Sequence, residues 1–526
     1  MPLRRTGRSL PPGIWAATLA SAVLGCARED LGIDPFREGP EQLHVPFGAA
    51  RIPPLAAASQ PSPEDVLVVA STNFDQRFNA GTLSAYGLQA LSELAPPRAA
   101  SCADQEVRFD PSFGGDAGTP AHRAAVRIQS ASGPLTPFSF NGAWVLALPT
   151  RFDQSVTLAQ VNPSAPEPGG ILNCRGPSEA RLGATDCSAR FVIRLGFDDP
   201  FDVQRVAGLG LVVGHVTDPD PRQQAFTGSP SIGYLSVISE ARLDARLGPP
   251  GGAGPVSQPP PLAFVFGLDG ARAVQAPGPD PVSEVFVSTD REFAGEVPVV
   301  RIPTTALQDL PPPPPGRLTA DLTDLGNRLI EPEDRIDLVP TTQGFGTRGL
   351  LHLPAEAGLP ARLYATVRVF EVQDSDNSVL AVLSAEDGRL RVQGLLEVGE
   401  ELGQPVPYPF APPGQRWLYV PDTRDDRIYV VDVTSDVPTV RARIDGRAVR
   451  TLSSGRQILA RTLATPLSIV FDRRGGRRFA YVTNFENSTL AVIDVSDDNP
   501  LQHCVVARFG RDRALDGSTE AEGATL

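Results

Sequence analysis

Proline recurs throughout the chain, and a residue that fixes φ and lacks an N–H removes long helices from the possible folds. Pro (54) and Gly (49) together make up about 20% of the 526 residues, below the fraction that marks a disordered chain. The 41% hydrophobic content is enough for a large core. Only short stretches, Gly87 to Leu94 and Ala320 to Leu329, suit a helix. The remainder is short runs of Val, Leu, Ile, Phe and Tyr bounded by Pro, Gly, Asp and Asn, the pattern of an all-β chain.

Those runs repeat. Leu418 to Val433 reads LYVPDTRDDRIYVVDV and Ala480 to Val495 reads AYVTNFENSTLAVIDV. The two align without a gap as apolar strand, Asp- or Asn-rich turn, and apolar strand ending in Asp-Val. A further strand precedes each, at Pro407 to Phe410 and at Pro466 to Phe471. Tyr481-Val482-Thr483-Asn484 followed by Leu490-Ala491-Val492-Ile493-Asp494 resembles the repeat of YVTN-type β-propellers. That resemblance implies four-stranded blades around a central channel. Looser copies begin at 67, 144, 211, 285 and 364, so with 418 and 481 the expectation is seven blades. Units of this spacing exceed the roughly 40 to 50 residues of an ordinary blade. Long Pro-rich insertion loops, Pro249 to Pro261 and Pro311 to Gly316, account for part of the excess.

The N-terminus has a basic start (Arg4, Arg5, Arg8) and an apolar run from Ile14 to Leu24. That run is too short to cross a ~30 Å hydrocarbon core as a helix and reads as a signal segment. Val23-Leu24-Gly25-Cys26 resembles the lipobox of bacterial lipoproteins, which implies lipidation at Cys26, with Ala27 pointing to the outer membrane. The expected organisation is a signal peptide at 1–25, a lipid-anchored tether at 26–60, the propeller at 61–510 and an acidic tail at 511–526. The expected location is the cell envelope, with the protein a monomer held to the membrane by its lipid.

Composition then excludes chemistry. All 47 basic residues are Arg, which removes Schiff bases, a phosphate-loop lysine and a Ser-Lys dyad. Without residues 1–25 the chain carries 44 Arg against 61 acids, a net charge of −17, which opposes binding to nucleic acid. The five His (His44, His122, His215, His352 and His503) are too scattered for a helical zinc motif. His215 and His352 sit beside apolar strands and read as structural. Four Cys remain after Cys26, an even count that suggests two disulfides in an oxidising compartment. If the ring closes, Cys102 in the first unit and Cys504 in the last come together, leaving Cys174 to pair with Cys187. Alternating acids at Asp218 and Asp220, and at Asp374 and Asp376, are candidate calcium ligands, although Asp also satisfies turn backbone on its own. No catalytic constellation and no cofactor motif is found. The expected role is a non-enzymatic binding or scaffolding module for a protein or polymer ligand. The alternative is an enzyme with its site at the central channel, as in the lactonases and quinone-dependent dehydrogenases built on similar propellers.

Overall fold

The computed structural model describes residues 35–511 apart from 39–40, 56–61, 63, 73–79, 114–120, 167, 175–186, 188–190, 196–198, 217–233, 249–262, 267–270, 278–283, 290–297, 309–334, 338–343, 357, 371–375, 386–389 and 452–456. Their strands form seven sheets in a ring, a seven-bladed β-propeller. Blade 1 is Pro46–Ile52, Val66–Ser71, Gly81–Gly87 and His122–Ile128. Blade 2 is Thr136–Phe140, Ala143–Thr150, Ser155–Val161 and Val192–Arg194. Blade 3 is Pro200–Val206, Gly210–His215, Tyr234–Ser239 and Ala263–Phe266. Blade 4 is Ala271–Gln275, Glu284–Thr289, Pro298–Pro303 and Arg335–Asp337. Blade 5 is Gly344–Leu353, Arg362–Phe370, Asp376–Ser384 and Arg391–Glu397. Blade 6 is Val406–Pro407, Trp417–Asp422, Arg427–Asp432 and Thr439–Asp445. Blade 7 is Pro466–Arg474, Arg477–Asn484, Thr489–Asp494 and Cys504–Phe509. An extra hairpin, Arg447–Thr451 with Gln457–Arg461, stands between blades 6 and 7.

All seven repeat units expected from the sequence fall on the second strand of a blade. Those strands are apolar without alternation because each blade is covered on both faces by its neighbours. Val66–Ser71, Gly210–His215 and Trp417–Asp422 are buried at every position. The core accordingly lies in the seams between blades. Leu67 and Tyr86 of blade 1 pack with Phe479 and Tyr481 of blade 7, and Val212 of blade 3 packs with Val274 of blade 4. Burial at about 25 cal/mol per Å² makes such seams the dominant stabilising term.

The propeller begins earlier than expected. Pro46–Ile52, assigned from sequence to the tether, is the innermost strand of blade 1 and pairs antiparallel with Val66–Ser71. Its small residues fit the narrow centre of the ring, where a Cβ added to Gly48 would lie 2.9 Å from the Leu135 nitrogen. The expected helix near Gly87 is present as Leu88–Leu94; Ala320 to Leu329 and both Pro-rich loops lie outside the described residues. A further helix, Glu240–Leu247, is capped by the Ser239 hydroxyl, which accepts from the Arg242 N–H, and it ends at Gly248 with φ +70°.

Ring closure uses a loop of blade 1. Between its third and fourth strands the chain leaves the blade and lays Arg108–Asp110 parallel to Cys504–Phe509, as a fifth strand on blade 7. The same loop carries Cys102, which is bonded to Cys504. Cys174 is bonded to Cys187. Both pairings match the expectation, and both fit an oxidising, extracytoplasmic compartment. Among the described residues no helix is long and apolar enough to cross a membrane; Cys26 and the residues around it lie outside them.

Candidate functional site

The innermost strands of all seven blades, or the residues leading into them, surround one cavity of about 660 Å³ on the ring axis. It lies toward the face where those strands begin. Adjacent strands are antiparallel, so the turns between second and third strands reach the same face. Arg151, Arg424 and Phe485 line the cavity from such turns.

The rim is built from a repeated backbone device. Val45, Ala131, Asp199 and Thr465, each just ahead of an inner strand, have φ between +52° and +58°. Val45 and Thr465 are β-branched, the type that least tolerates this region. The carbonyls of these same residues point toward the end of a second strand. Thr72 N–H donates to Val45 O, Arg151 N–H to Ala131 O, Val216 N–H to Asp199 O and Phe485 N–H to Thr465 O, all at 3.0–3.1 Å. Neighbouring blades are stitched at the same level. The Ser488 hydroxyl accepts from Val45 N–H at 3.1 Å, and the Asp426 carboxylate from Thr465 N–H at 2.8 Å. The Arg151 guanidinium grips the Asp199 carboxylate with two nitrogens. Backbone strain of this kind persists only where surrounding bonds over-determine it, which makes the rim rigid.

Aromatic rings occupy one side of the cavity. Phe47 of blade 1 meets Phe201 of blade 3 and Phe485 of blade 7 edge to face, with centroids 6.4 and 6.3 Å apart. Phe201 is also flanked by two guanidinium groups, Arg272 at 4.5 Å and Arg151 at 5.1 Å from its centroid. Gly133 permits this crowding, because a Cβ there would lie 2.6 Å from the Phe201 carbonyl oxygen.

Further charged groups line the cavity. Arg424 pairs with Glu400 at 3.0 Å, and Glu401 lies 3.8 Å from Arg348 and 3.7 Å from Arg368. Asp202 lines the cavity yet is enclosed by protein. Its carboxylate accepts from Val203 N–H and from Val274 N–H of the next blade, both at 2.8 Å. Burial pushes this carboxyl up to about 6, against the opposing pull of the two N–H groups.

No protein-family model and no curated protein sequence matches the chain. Among solved structures it is similar to hydrazine synthase from Kuenenia stuttgartiensis, at 12% identity over 89% of this chain and 100% of that one, with a TM-score of 0.45. The Dos1 propeller is 10% identical over 87% of this chain and 84% of its own, TM-score 0.45. The WD40 domain of Toxoplasma gondii coronin is 11% identical over 76% of each chain, TM-score 0.33. Likenesses this low attribute no activity to this chain.

None of the five His lines the cavity. His215 shares a 2.7 Å hydrogen bond with the Ser236 hydroxyl inside blade 3. His352 stacks on Phe286. His44 donates to Pro35 O at 2.7 Å. His503 donates to Asp497 O at 2.8 Å and bonds the Tyr419 hydroxyl. Burial lowers the affinity of His122, His352 and His503 for a proton. Of the calcium candidates, Asp218, Asp220 and Asp374 lie outside the described residues, and Asp376 opens the third strand of blade 5. Among the described residues no three His, Cys, Asp or Glu side chains converge to hold a metal. The cavity residues carry no motif in the sequence, for they come in short groups from blades whose inner strands start more than fifty residues apart. One signal was present: Pro46-Phe47 and Pro200-Phe201 open the inner strands of blades 1 and 3 with the same dipeptide.

Proposed function

We propose that this protein is an envelope-tethered propeller that works by binding, with a protein or polymer ligand lying across the rim and reaching into the central cavity. The cavity carries the reading: a concave, largely apolar site with a few placed polar groups is the usual form of a ligand site, and here a rigid rim holds it open. The lipobox-like ending at Cys26 supports the tether, as does the oxidising compartment that the disulfides fit.

Two experiments test the two parts. Fractionation of cells carrying Cys26→Ala is expected to find the protein released from the membrane; retention there would remove the lipid anchor from the reading. Affinity capture from intact envelopes is expected to recover a ligand with the wild-type chain and lose it with Phe47→Ala plus Phe485→Ala. Recovery of the same material with both would mean that this face is not the binding face.

Catalysis at the same cavity is favoured by one observation, the Asp202 carboxyl, whose raised proton affinity suits a general acid or base working near neutral pH. Turnover of a captured ligand with a pH limb near 6 that Asp202→Asn abolishes would establish it.

A further inference from the structure

The cavity walls are chemically divided. Blades 7, 1 and 3 contribute Phe485, Phe47 and Phe201, with Arg151 and Arg272 held against the Phe201 ring, while blades 5 and 6 contribute Arg348 and Arg424. We propose that this cavity takes a small amphipathic organic anion whole, its carboxylate or phosphate on Arg348 and Arg424 of blades 5 and 6 and its apolar body against the phenylalanines of blades 7, 1 and 3. The proposal rests on the reading of the cavity as a ligand site and goes beyond it, setting a small molecule inside the cavity beside the protein or polymer ligand proposed for the rim.

Charge is the first argument. The chain as a whole has 61 acids to 47 Arg, yet the described cavity lining reverses this ratio, with Arg151, Arg272, Arg348 and Arg424 against Asp202 and Glu401. Arg151 and Arg424 are paired with Asp199 and Glu400 beside the lining, so the guanidinium with the weakest compensation is Arg348, 3.8 Å from Glu401, and a partly compensated cation on a concave wall attracts an anion.

The state of those groups is the second. Both Asp202 oxygens are committed to backbone N–H groups. Glu401 is shared between Arg348 and Arg368 at 3.8 and 3.7 Å, beyond hydrogen-bond length. The Arg348 Nε is buried without a hydrogen-bond partner, and a buried unmet donor calls for an acceptor. A carboxylate or phosphate supplies acceptors in the planar geometry that guanidinium matches.

Size is the third argument. About 660 Å³ lies within the usual range for small-molecule sites and exceeds what a bare phosphate fills. The Phe47, Phe201 and Phe485 edges and faces then cover an apolar or aromatic body.

Calorimetric titration of the whole mature protein with phenyl phosphate, inorganic phosphate and benzyl alcohol tests this. Phenyl phosphate is expected to bind saturably, with affinity falling as salt rises. Inorganic phosphate, lacking the body, and benzyl alcohol, lacking the charge, are each expected to bind about tenfold more weakly or worse. Arg348→Gln is expected to weaken phenyl phosphate about tenfold. Arg424→Gln, at a half-exposed position that tolerates change, is expected to act in the same direction while leaving the melting curve intact. The proposal is overturned if phenyl phosphate gives no saturable binding, if benzyl alcohol binds as well, or if both arginine variants bind like the wild type. Each of these results leaves envelope capture by the cavity face standing, so the two readings fail separately.

Discussion

The seam between blades 3 and 4 buries aliphatic side chains alone, the seam between blades 7 and 1 buries aromatic ones as well, and the two are also secured very differently. The chain runs directly from blade 3 into blade 4. One polar link, from Val274 N–H to Asp202, spans the seam at the cavity, beside an apolar cluster around Val212, Val274 and Val287. No such continuity joins blade 7 to blade 1, whose strands lie at opposite ends of the sequence. There the apolar cluster is reinforced at three depths. Near the axis, Arg51 and Asp65 of blade 1 interlock with Asp472 and Arg474 of blade 7. Farther out, Arg477 donates to Ala95 O and Pro96 O. At the outer edge come the added strand Arg108–Asp110 and the Cys102–Cys504 bond. Docking blades that are neighbours in sequence closes a short loop, whereas docking the two ends closes one of about 400 residues, and that entropy must be offset by bonds at the seam.

The sharpest way to break this comparison is to remove Arg474, whose side chain is 4% exposed between two carboxylates that are fully buried. Arg474→Leu leaves Asp65 and Asp472 with only Arg51, and stripping one partner from a buried ion network costs about 3 to 5 kcal/mol. Burial already pushes the Asp472 carboxyl up, with Arg474 the first of the groups that oppose it. Urea unfolding should show the loss; a change under about 1 kcal/mol would mean that the seam does not depend on this network.

The two disulfides provide the next contrast, because they close loops of 402 and 13 residues. In the chain-entropy model the longer loop gains more. Cys102→Ser with Cys504→Ser is therefore expected to cost about 3 to 5 kcal/mol, and Cys174→Ser with Cys187→Ser about 2 to 3 kcal/mol. Equal losses in melting experiments would show that the first bond adds nothing to ring closure beyond what the Arg108–Asp110 strand supplies.

How much of this was legible follows from which faces are buried. The second and third strands of each blade lie between two neighbouring blades, so their apolar residues run on without alternation and their turns need residues that accept positive φ. Asp426 and Ser488 at the turn ends have φ of +53° and +58°, and short polar residues in these turns suit that. Inner strands give a weaker signal. Pro46–Ile52 (PFGAARI) has three consecutive small residues because it borders the axis, and small residues after proline look like a linker. The cysteine pairing was legible once a ring was assumed, since only a ring brings Cys102 and Cys504 together. Beyond the repeated Pro-Phe dipeptide the cavity left no trace in the sequence: Arg272, Arg348 and Arg424 occupy unrelated positions and line one cavity only because seven blades share one axis.

The smallest expected effect lies at the seam between blades 3 and 4, and it has a distinctive pH signature. Asp202 has no arginine among the groups that set its proton affinity, so enclosure raises its carboxyl from the ordinary 3.8 to about 6. A carboxyl raised in the folded state disfavours folding once it must ionise. The penalty is absent below about pH 4, grows as pH rises, and is complete above about pH 6. Asp202→Asn removes it. The stability of the variant relative to the wild type is therefore expected to rise by about 1 to 2 kcal/mol between pH 4 and pH 7, less than the full shift would give because the side chain is only partly shielded at the cavity wall. A constant offset is also expected, because an amide cannot accept from both Val203 N–H and Val274 N–H. Urea unfolding at pH 4.5, 5.5 and 7 separates the two, since only the carboxyl contributes a slope. A flat difference across that range would mean that the carboxyl is effectively solvated, and that this seam, like the one between blades 7 and 1, compensates its buried charge.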